Sequence, residues 1–263
     1  EGKLSEKEEP LDTPHVDEGK SLLEIKLKTD EDKIRLVPLG DLHIGAPDGC
    51  CNIEKIKREI DYILNTPNTY TIGMGDMFDN AQKMAKGPNV FRSDLSPQEQ
   101  YETALNLFEP LAQKKKILGM VEGNHDRWTM EESGIMLIRN LCRELKTTHI
   151  ANGAFVHLFA NKQRYTMNVR HGKGRGESGI NTLLNQTKGI YADTFLCGHV
   201  HKIEAKKKMH IIEGTPHKTY YVITGHFLEW VGSYAQNFGY SPEPTGTVKI
   251  NFFSARKDIH VSL

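Results

Sequence analysis

Four short strings hold the residues able to do chemistry: Asp41-Leu42-His43, Gly75-Asp76-Met77-Phe78-Asp79, Gly123-Asn124-His125-Asp126 and Gly198-His199-Val200-His201, with a lone His171 between the last two. Each stands where an extended segment is expected to end. Residues two apart on an extended chain point the same way, so Asp41 with His43, and His199 with His201, can each aim two ligands into one cleft. Carboxylate oxygen, imidazole nitrogen and a single amide oxygen form a mixed hard and borderline donor set. That set suits manganese, iron or zinc better than calcium or a thiolate-bound zinc. The seven donors Asp41, His43, Asp76, Asn124, His171, His199 and His201 are too many for one ion. They fit two ions with one shared carboxylate, which clamps a phosphoryl group and prepares a water for in-line attack. Glycines before Asp76, Asn124 and His199 permit tight turns and close backbone approach.

The elements that must carry these strings follow from periodicity. The alternation in SLLEIKLK from Ser21 predicts a strand, and the denser apolar run KIRLVPLG (33–40) predicts one buried in a sheet centre. Asn52 can cap a helix to about Asn65, because Ile53, Ile56, Ile60 and Ile63 recur at spacings of three and four. TYTIGM is the next strand. Ser96-Pro97-Gln98-Glu99 reads as a capping box opening a helix to about Gln113, and the strand KILGMV follows. A helix over 131–146, with Ile135, Ile138, Leu141 and Leu145 on one face, completes a β-α-β-α-β-α half and implies a mostly parallel sheet. The second half is richer in strands (FVHLFA, RYTMNVR, DTFLC, 203–213, YYVIT, TVKINFF, DIHVSL), with one helix near 178–189. Two sheets packed face to face are the simplest arrangement. Open α/β sheets place their sites at the carboxyl ends of the strands, where the four strings fall.

DxH, GDxxD, GNH[DE], a lone His and GHxH, in that order over roughly residues 33–205, resemble the signature of the calcineurin-like metallophosphoesterase superfamily. The resemblance implies an α/β fold, a four-layer α/β/β/α sandwich of two packed mixed β-sheets flanked by helices. It implies one ion on Asp41, His43, Asp76 and His201, and another on Asp76, Asn124, His171 and His199. It also makes His125 the non-ligand histidine that stabilises the transition state or protonates the leaving oxygen, with the Asp79 carboxylate orienting it. Two divalent ions are then the cofactors, manganese foremost, with iron or zinc as the other choices.

The flanks bear on the substrate. Family members that dephosphorylate proteins usually read GDxxDRG and GNHE, whereas this chain has Asn80 after Asp79 and Asp126 after His125. DLHIG and GDMFD are instead similar to the strings of the double-strand-break repair nucleases, which points to a phosphodiesterase or nuclease acting on DNA or RNA. The further DNA-binding domain of those nucleases has no counterpart in the short, strand-like stretch after His201. A phosphatase or phosphodiesterase on small nucleotides or other monoesters stands second. A non-catalytic binding subunit resembling a DNA polymerase small subunit stands third. Substrate contacts are expected from Lys173 and Arg175 in the glycine-rich stretch 172–179, and from Tyr234 and Tyr240 in the aromatic stretch 230–244.

Composition narrows the classes. Lys+Arg and Asp+Glu each total 34, so no bulk basic field exists to grip nucleic acid, and any such contact must be local. The four cysteines lie in no CxxC spacing, which fits a reducing compartment rather than a disulfide framework. No apolar run is long enough for a membrane span, and the first residues lack the basic-then-apolar order of a secretory signal. A soluble, cytoplasmic protein that avoids membranes is expected. Seven acids and three lysines in residues 1–20 read as a disordered acidic arm, ahead of one domain over 21–263.

Overall fold

The computed structural model describes residues 15–16, 22–81, 92–173 and 179–263. In chain order the elements are β1 (His15–Val16), β2 (Leu22–Leu27), β3 (Lys33–Leu39), α1 (Ile53–Asn65), β4 (Thr69–Gly73), α2 (Pro97–Gln113), β5 (Ile117–Val121), α3 (Asn124–Ser133), α4 (Leu137–Glu144), β6 (His149–Ile150) and β7 (Gly153–Ala160). They continue with β8 (Gln163–Arg170), α5 (Gly179–Gln186), β9 (Thr194–Cys197), β10 (Ile203–Ile212), β11 (Thr215–His226), α6 (Tyr234–Asn237), β12 (Gly246–Thr247), β13 (Lys249–Phe253) and β14 (Ile259–Ser262).

Two mixed sheets result. The first runs β1-β6-β5-β4-β3-β13-β14, parallel up to β3 and antiparallel beyond it. The second runs β10-β11-β9-β8-β7-β2 and combines antiparallel hairpins with parallel pairs. Strand β3 explains its own unbroken apolar run. Ile34 and Leu36 face the second sheet, packing with Val156, Leu158, Tyr165, Met167 and Val222. Val37 and Leu39 face the other way, against the Ile56-Ile60-Ile63 stripe of α1, Phe108 and Leu111 of α2, and Ile138 and Leu141 of α4. A strand buried on both faces has no polar side to alternate with. On the far side Leu183 of α5 covers Phe195 of β9 and Tyr221 and Ile223 of β11. The order helix, sheet, sheet, helix is the four-layer sandwich that the resemblance implied.

The expected caps are present. The Asn52 side chain accepts from Lys55 N, and Ser96 and Glu99 form a reciprocal capping box at the start of α2. One expectation is corrected: the single helix over 131–146 is two helices, α3 and α4. Gly134 adopts a left-handed conformation (φ 77°) after Ser133 and ends the first of them. The first also begins earlier, at Asn124 inside the third string, where the polar sequence NHDRWTMEES offers no apolar stripe to announce it. Of the acidic arm, His15–Val16 pair in parallel with β6, and the rest lies outside the described residues. Among the described residues no helix is long and apolar enough to cross a membrane.

Candidate metal centre

The loops after β3, β4, β5, β8 and β9 converge at one edge of the two sheets. The chain leaving β3 stays registered on the chain leaving β4, with Asp41 N donating to Gly75 O, Leu42 N to Asp76 O and Ile44 N to Met77 O. His199 N donates to both oxygens of Asp41 at 3.0 and 2.9 Å, tying the second sheet's loop to the first. Asp41, His43, Asp76, His199 and His201 all have φ between 48° and 68°. Five non-glycine residues in the left-handed region at one place is strain of about 1–3 kcal/mol each, which persists only where the surroundings over-determine it. Two glycines are forced by crowding. A Cβ on Gly123 would lie 2.0 Å from Asp76 Oδ1, and one on Gly198 would lie 2.6 Å from Asp41 Oδ2.

Within this cleft two groups of donors form, Asp41–His43–His201 and Asp76–His171–His199, each with its ligand atoms within 4.8 Å of one another. In the first, His43 Nε2 faces His201 Nε2 at 3.1 Å, and His201 Nε2 lies 3.3 Å from Asp41 Oδ1. In the second, His171 Nε2 lies 3.1 Å from Asp76 Oδ2, 3.1 Å from Asn124 Oδ1 and 3.3 Å from His199 Nδ1. Asp76 Oδ2 stands between the groups, 4.0 Å from His43 Nε2 on its other side. His43, Asp79 and His125 make a third such cluster.

These residues fit divalent cations, and His171 carries the argument. Its Nδ1 meets the carbonyl of Met74 at 2.8 Å, and a carbonyl can only accept, so Nδ1 holds the ring proton. The Nε2 lone pair then faces a carboxylate oxygen, an amide oxygen and an imidazole nitrogen, which is stable only around a cation. Without a metal that cation is a proton. Burial works against charging His171, yet Asp76 and Asp41 overcome it and push its pKa up to about 10. Asp76 is held well below the usual carboxylate range, burial being outweighed by His171, His125 and His43. Asp41 is likewise lowered, burial being outweighed by His201 and His171.

His125, at the start of α3, donates its backbone N–H to Asp76 Oδ1 at 2.8 Å. Its ring lies 3.9 Å from the Trp128 ring and 4.5 Å from that of His43. The orienting contact differs from the expectation: His125 Nδ1 meets the backbone carbonyl of Asp79 at 2.7 Å. The Asp79 carboxylate turns instead toward His43, with Oδ1 3.6 Å from His43 Nδ1 and Oδ2 buried without a hydrogen bond. The carbonyl fixes the proton on Nδ1 as a carboxylate would, leaving Nε2 for the cleft.

Lys173 is exposed, its carbonyl accepting from Gln186 Nε2. It lines the same cavity as His171 and Asn124. Tyr240 sits in the aromatic loop, its carbonyl accepting from the Trp230 indole and its ring stacked on Phe238, and no hydrogen bond joins it to the donor groups. Arg175 and the side chain of Tyr234 lie outside the described residues.

Three residues beside the centre were given no role from the sequence. Asp126 is buried and accepts from Asp76 N (2.8 Å), Met77 N (3.1 Å) and Gly123 N (2.8 Å), stitching two of the five loops together. Burial and the nearby Asp76 charge push it up to about 7. Trp128, two residues beyond the same string, packs on His125. His226, at the end of β11, lies parallel to His201 with ring centroids 5.0 Å apart, and both its nitrogens are buried without a hydrogen-bond partner. Asp126 was legible as part of GNHD; His226 carried no local signal beyond being a histidine after a strand.

No family model matches the chain, and no curated protein matches it. Solved structures do. Vps29 from Entamoeba histolytica, complexed with zinc, is 13% identical over 87% of this chain and 97% of its own, with a TM-score of 0.41. Vps29 from Chaetomium thermophilum is 11% identical over 87% and 94%, also at 0.41. A conserved protein from Streptococcus pneumoniae described as a predicted phosphoesterase is 13% identical over 87% and 88%, at 0.38. At these identities and scores the likenesses bear on neither activity nor partners.

Proposed function

We propose that this chain is a phosphoester hydrolase of the calcineurin-like kind, working with two divalent cations and acting on phosphodiesters of DNA or RNA. The observation that carries the reading is Asp76 Oδ2 standing between His43 Nε2 at 4.0 Å and His171 Nε2 at 3.1 Å, a carboxylate shared by two donor groups. Asp41, His43, Asp76 and His201 would hold one cation, and Asp76, Asn124, His171 and His199 the other. Manganese is the first choice, with iron or zinc next, since the donors are imidazole, carboxylate and amide. Bound there, the cations would supply Lewis-acid polarisation of the phosphoryl oxygens and lower the pKa of the attacking water. The protein's own residues do the rest. His125 keeps its Nδ1 proton on the Asp79 carbonyl and presents Nε2, which would carry a second proton in the imidazolium form and pass it to the leaving oxygen; burial lowers the pKa of the ring, which makes that form a stronger acid. Trp128 limits the swing of that ring. The buried Asp126 fixes the Asp76 loop against the His125 helix, so nucleophile and acid keep their spacing. Free cysteines at 50, 51, 142 and 197 agree with work in a reducing cytoplasm.

A second reading, hydrolysis of small nucleotides, is favoured by a cavity of about 670 Å³ against Asn124 and His171, a size ordinary for small-molecule sites. Purified protein with manganese should be given end-labelled single-stranded and duplex DNA, RNA, and bis(p-nitrophenyl) phosphate, with EDTA and His125→Ala as controls. A product ladder that disappears in both controls supports the nuclease. Intact nucleic acid beside cleaved small esters moves the substrate to nucleotides, and no cleavage of any of them defeats the hydrolase reading. His125→Ala should retain its cations and lose about 10²–10⁴-fold in turnover.

A further inference from the structure

The cavity beside Asn124 and His171 differs in charge from the centre it adjoins. Arg127, Arg170 and Lys173 line it, and Glu122 is the one carboxylate among its described lining residues. Glu122 already has two partners, His149 Nε2 at 2.8 Å and Arg127 Nε at 3.5 Å. Arg170 and Lys173 are left over, and of these Arg170 is the half-buried one. Its Nε and Nη2 both reach Asn168 Oδ1, at 2.8 and 2.6 Å, and among the described residues it forms no salt bridge. A half-buried guanidinium held in place by a neutral amide, with its remaining donors toward a cavity, is a socket for a planar or tetrahedral anion.

A second polar group in the same cavity lacks a partner. Asn152 Oδ1 is buried without a hydrogen bond and lines the cavity with the arginines. It can only accept, so its complement is a hydroxyl or an amine. An anion for Arg170 and a donor for Asn152 inside one cavity of about 670 Å³ describe a phosphorylated sugar or nucleoside more closely than a bare phosphate.

We propose that this cavity anchors a second phosphate of the substrate, on Arg170 with Arg127 and Lys173 around it, while a sugar hydroxyl or base amine of the same nucleotide unit meets Asn152. The proposal rests on the hydrolase reading for the position of the scissile phosphate, and on the cavity alone for binding. Substrates bearing a phosphate beyond the scissile one are therefore preferred over those that carry only one.

Two measurements separate the proposals. The first is calorimetric binding of adenosine 3′,5′-bisphosphate and of adenosine 5′-monophosphate to the full chain. The bisphosphate should bind at least about ten-fold more tightly, and Arg170→Gln should remove that advantage, a charge-assisted contact being worth about ten-fold or more. The second is kcat/KM for the 5′-phosphorylated dinucleotide pTpT, a diester with a further phosphate, against bis(p-nitrophenyl) phosphate, whose ratio should fall about ten-fold in Arg170→Gln and recover partly in Arg170→Lys. Equal binding of the two nucleotides by the parent protein, or a ratio unmoved by Arg170→Gln, overturns the anchor. Should Arg170→Gln fail to fold by circular dichroism, Lys173→Gln and Asn152→Leu read the same ratio and the same binding difference, and both must move. Bisphosphate binding without turnover on any ester keeps the anchor and defeats the hydrolase reading instead.

Discussion

Asp41, His43 and His201 sit against a wall of buried side chains, whereas His171, in the other group, borders a cavity. Behind the first group Phe227 and His226 are buried, and Phe227 N is hydrogen-bonded to the Asp41 carbonyl. Beside the second, Asn124 and His171 line a space shared with three cations, and none of the first group is among its described lining residues. Two donor groups of similar chemistry thus meet different surroundings. A side packed by buried side chains fixes a ligand sphere and strengthens each electrostatic contact there. An open, positively charged side admits and orients an anion. On the proposed reading the substrate would approach from the His171 side, and the first group would act as the fixed end of the clamp.

The strongest way to break the contrast is to remove what the two groups share. Asp76→Ala should abolish paired cation binding and lower turnover at least about a thousand-fold, because several kcal/mol of transition-state stabilisation depend on both ions. Two ions per chain by elemental analysis of the variant would refute the sharing. Asp126→Ala comes next. It strands the N–H groups of Asp76, Met77 and Gly123 inside the protein, and buried unsatisfied donors cost about 1–3 kcal/mol each, so the urea-derived stability should fall by about 3 kcal/mol or more. A loss below about 1 kcal/mol would mean the loops hold each other without it.

Substitutions confined to one group sharpen the comparison. Asp41→Asn keeps one acceptor for His199 N but removes the charge, and should weaken one cation by roughly 10–100-fold while the other binds as before. His171→Gln should do the mirror image, and should additionally weaken adenosine 3′,5′-bisphosphate binding, because His171 walls the cavity and Asp41 does not. Zinc competition titrations on the two variants give the first comparison and calorimetry gives the second. If both variants weaken the nucleotide equally, the open side is not where it enters.

How much of this was readable beforehand depends on range. The ligand strings were legible because each is local: a strand ends, a glycine allows close approach, and two ligands lie within three residues, as in Asp41-Leu42-His43. The helices α1 and α2 were legible because Ile56, Ile60 and Ile63, and the Ser96–Glu99 cap, encode period and boundary in the chain itself. What escaped is long-range. Arg170 ends an ordinary strand and becomes a candidate anchor only when β8 brings it beside Arg127, forty-odd residues earlier. The contact between His125 and Asp79 depends on which oxygen the backbone turns inward, carbonyl or carboxylate, and no residue type specifies that. Helix α3 was missed because it is held by Asp126 and by what it presents to the cleft, not by an apolar face.

The smallest expected effect tests the packed side. His226 is buried with neither nitrogen hydrogen-bonded, and burial beside His201 drives its pKa down to about 3, so it is neutral in the folded protein at ordinary pH. A buried polar ring without partners loses its hydration and recovers nothing, whereas an apolar side chain there loses no hydrogen bond. Leucine is close to histidine in volume but branched rather than planar, and the stacking on His201 it gives up works the other way. His226→Leu, measured on metal-free protein, should therefore change stability by no more than about 1 kcal/mol and toward the stable side. Cation affinity at Asp41, His43 and His201 should stay within about three-fold, since the stacked ring offers them neither a donor nor an acceptor. A fall of about 2 kcal/mol or more would mean that an ordered water bridges His226 to the cleft. The wall would then be a wet second entrance, and the asymmetry between the two groups would lose its basis.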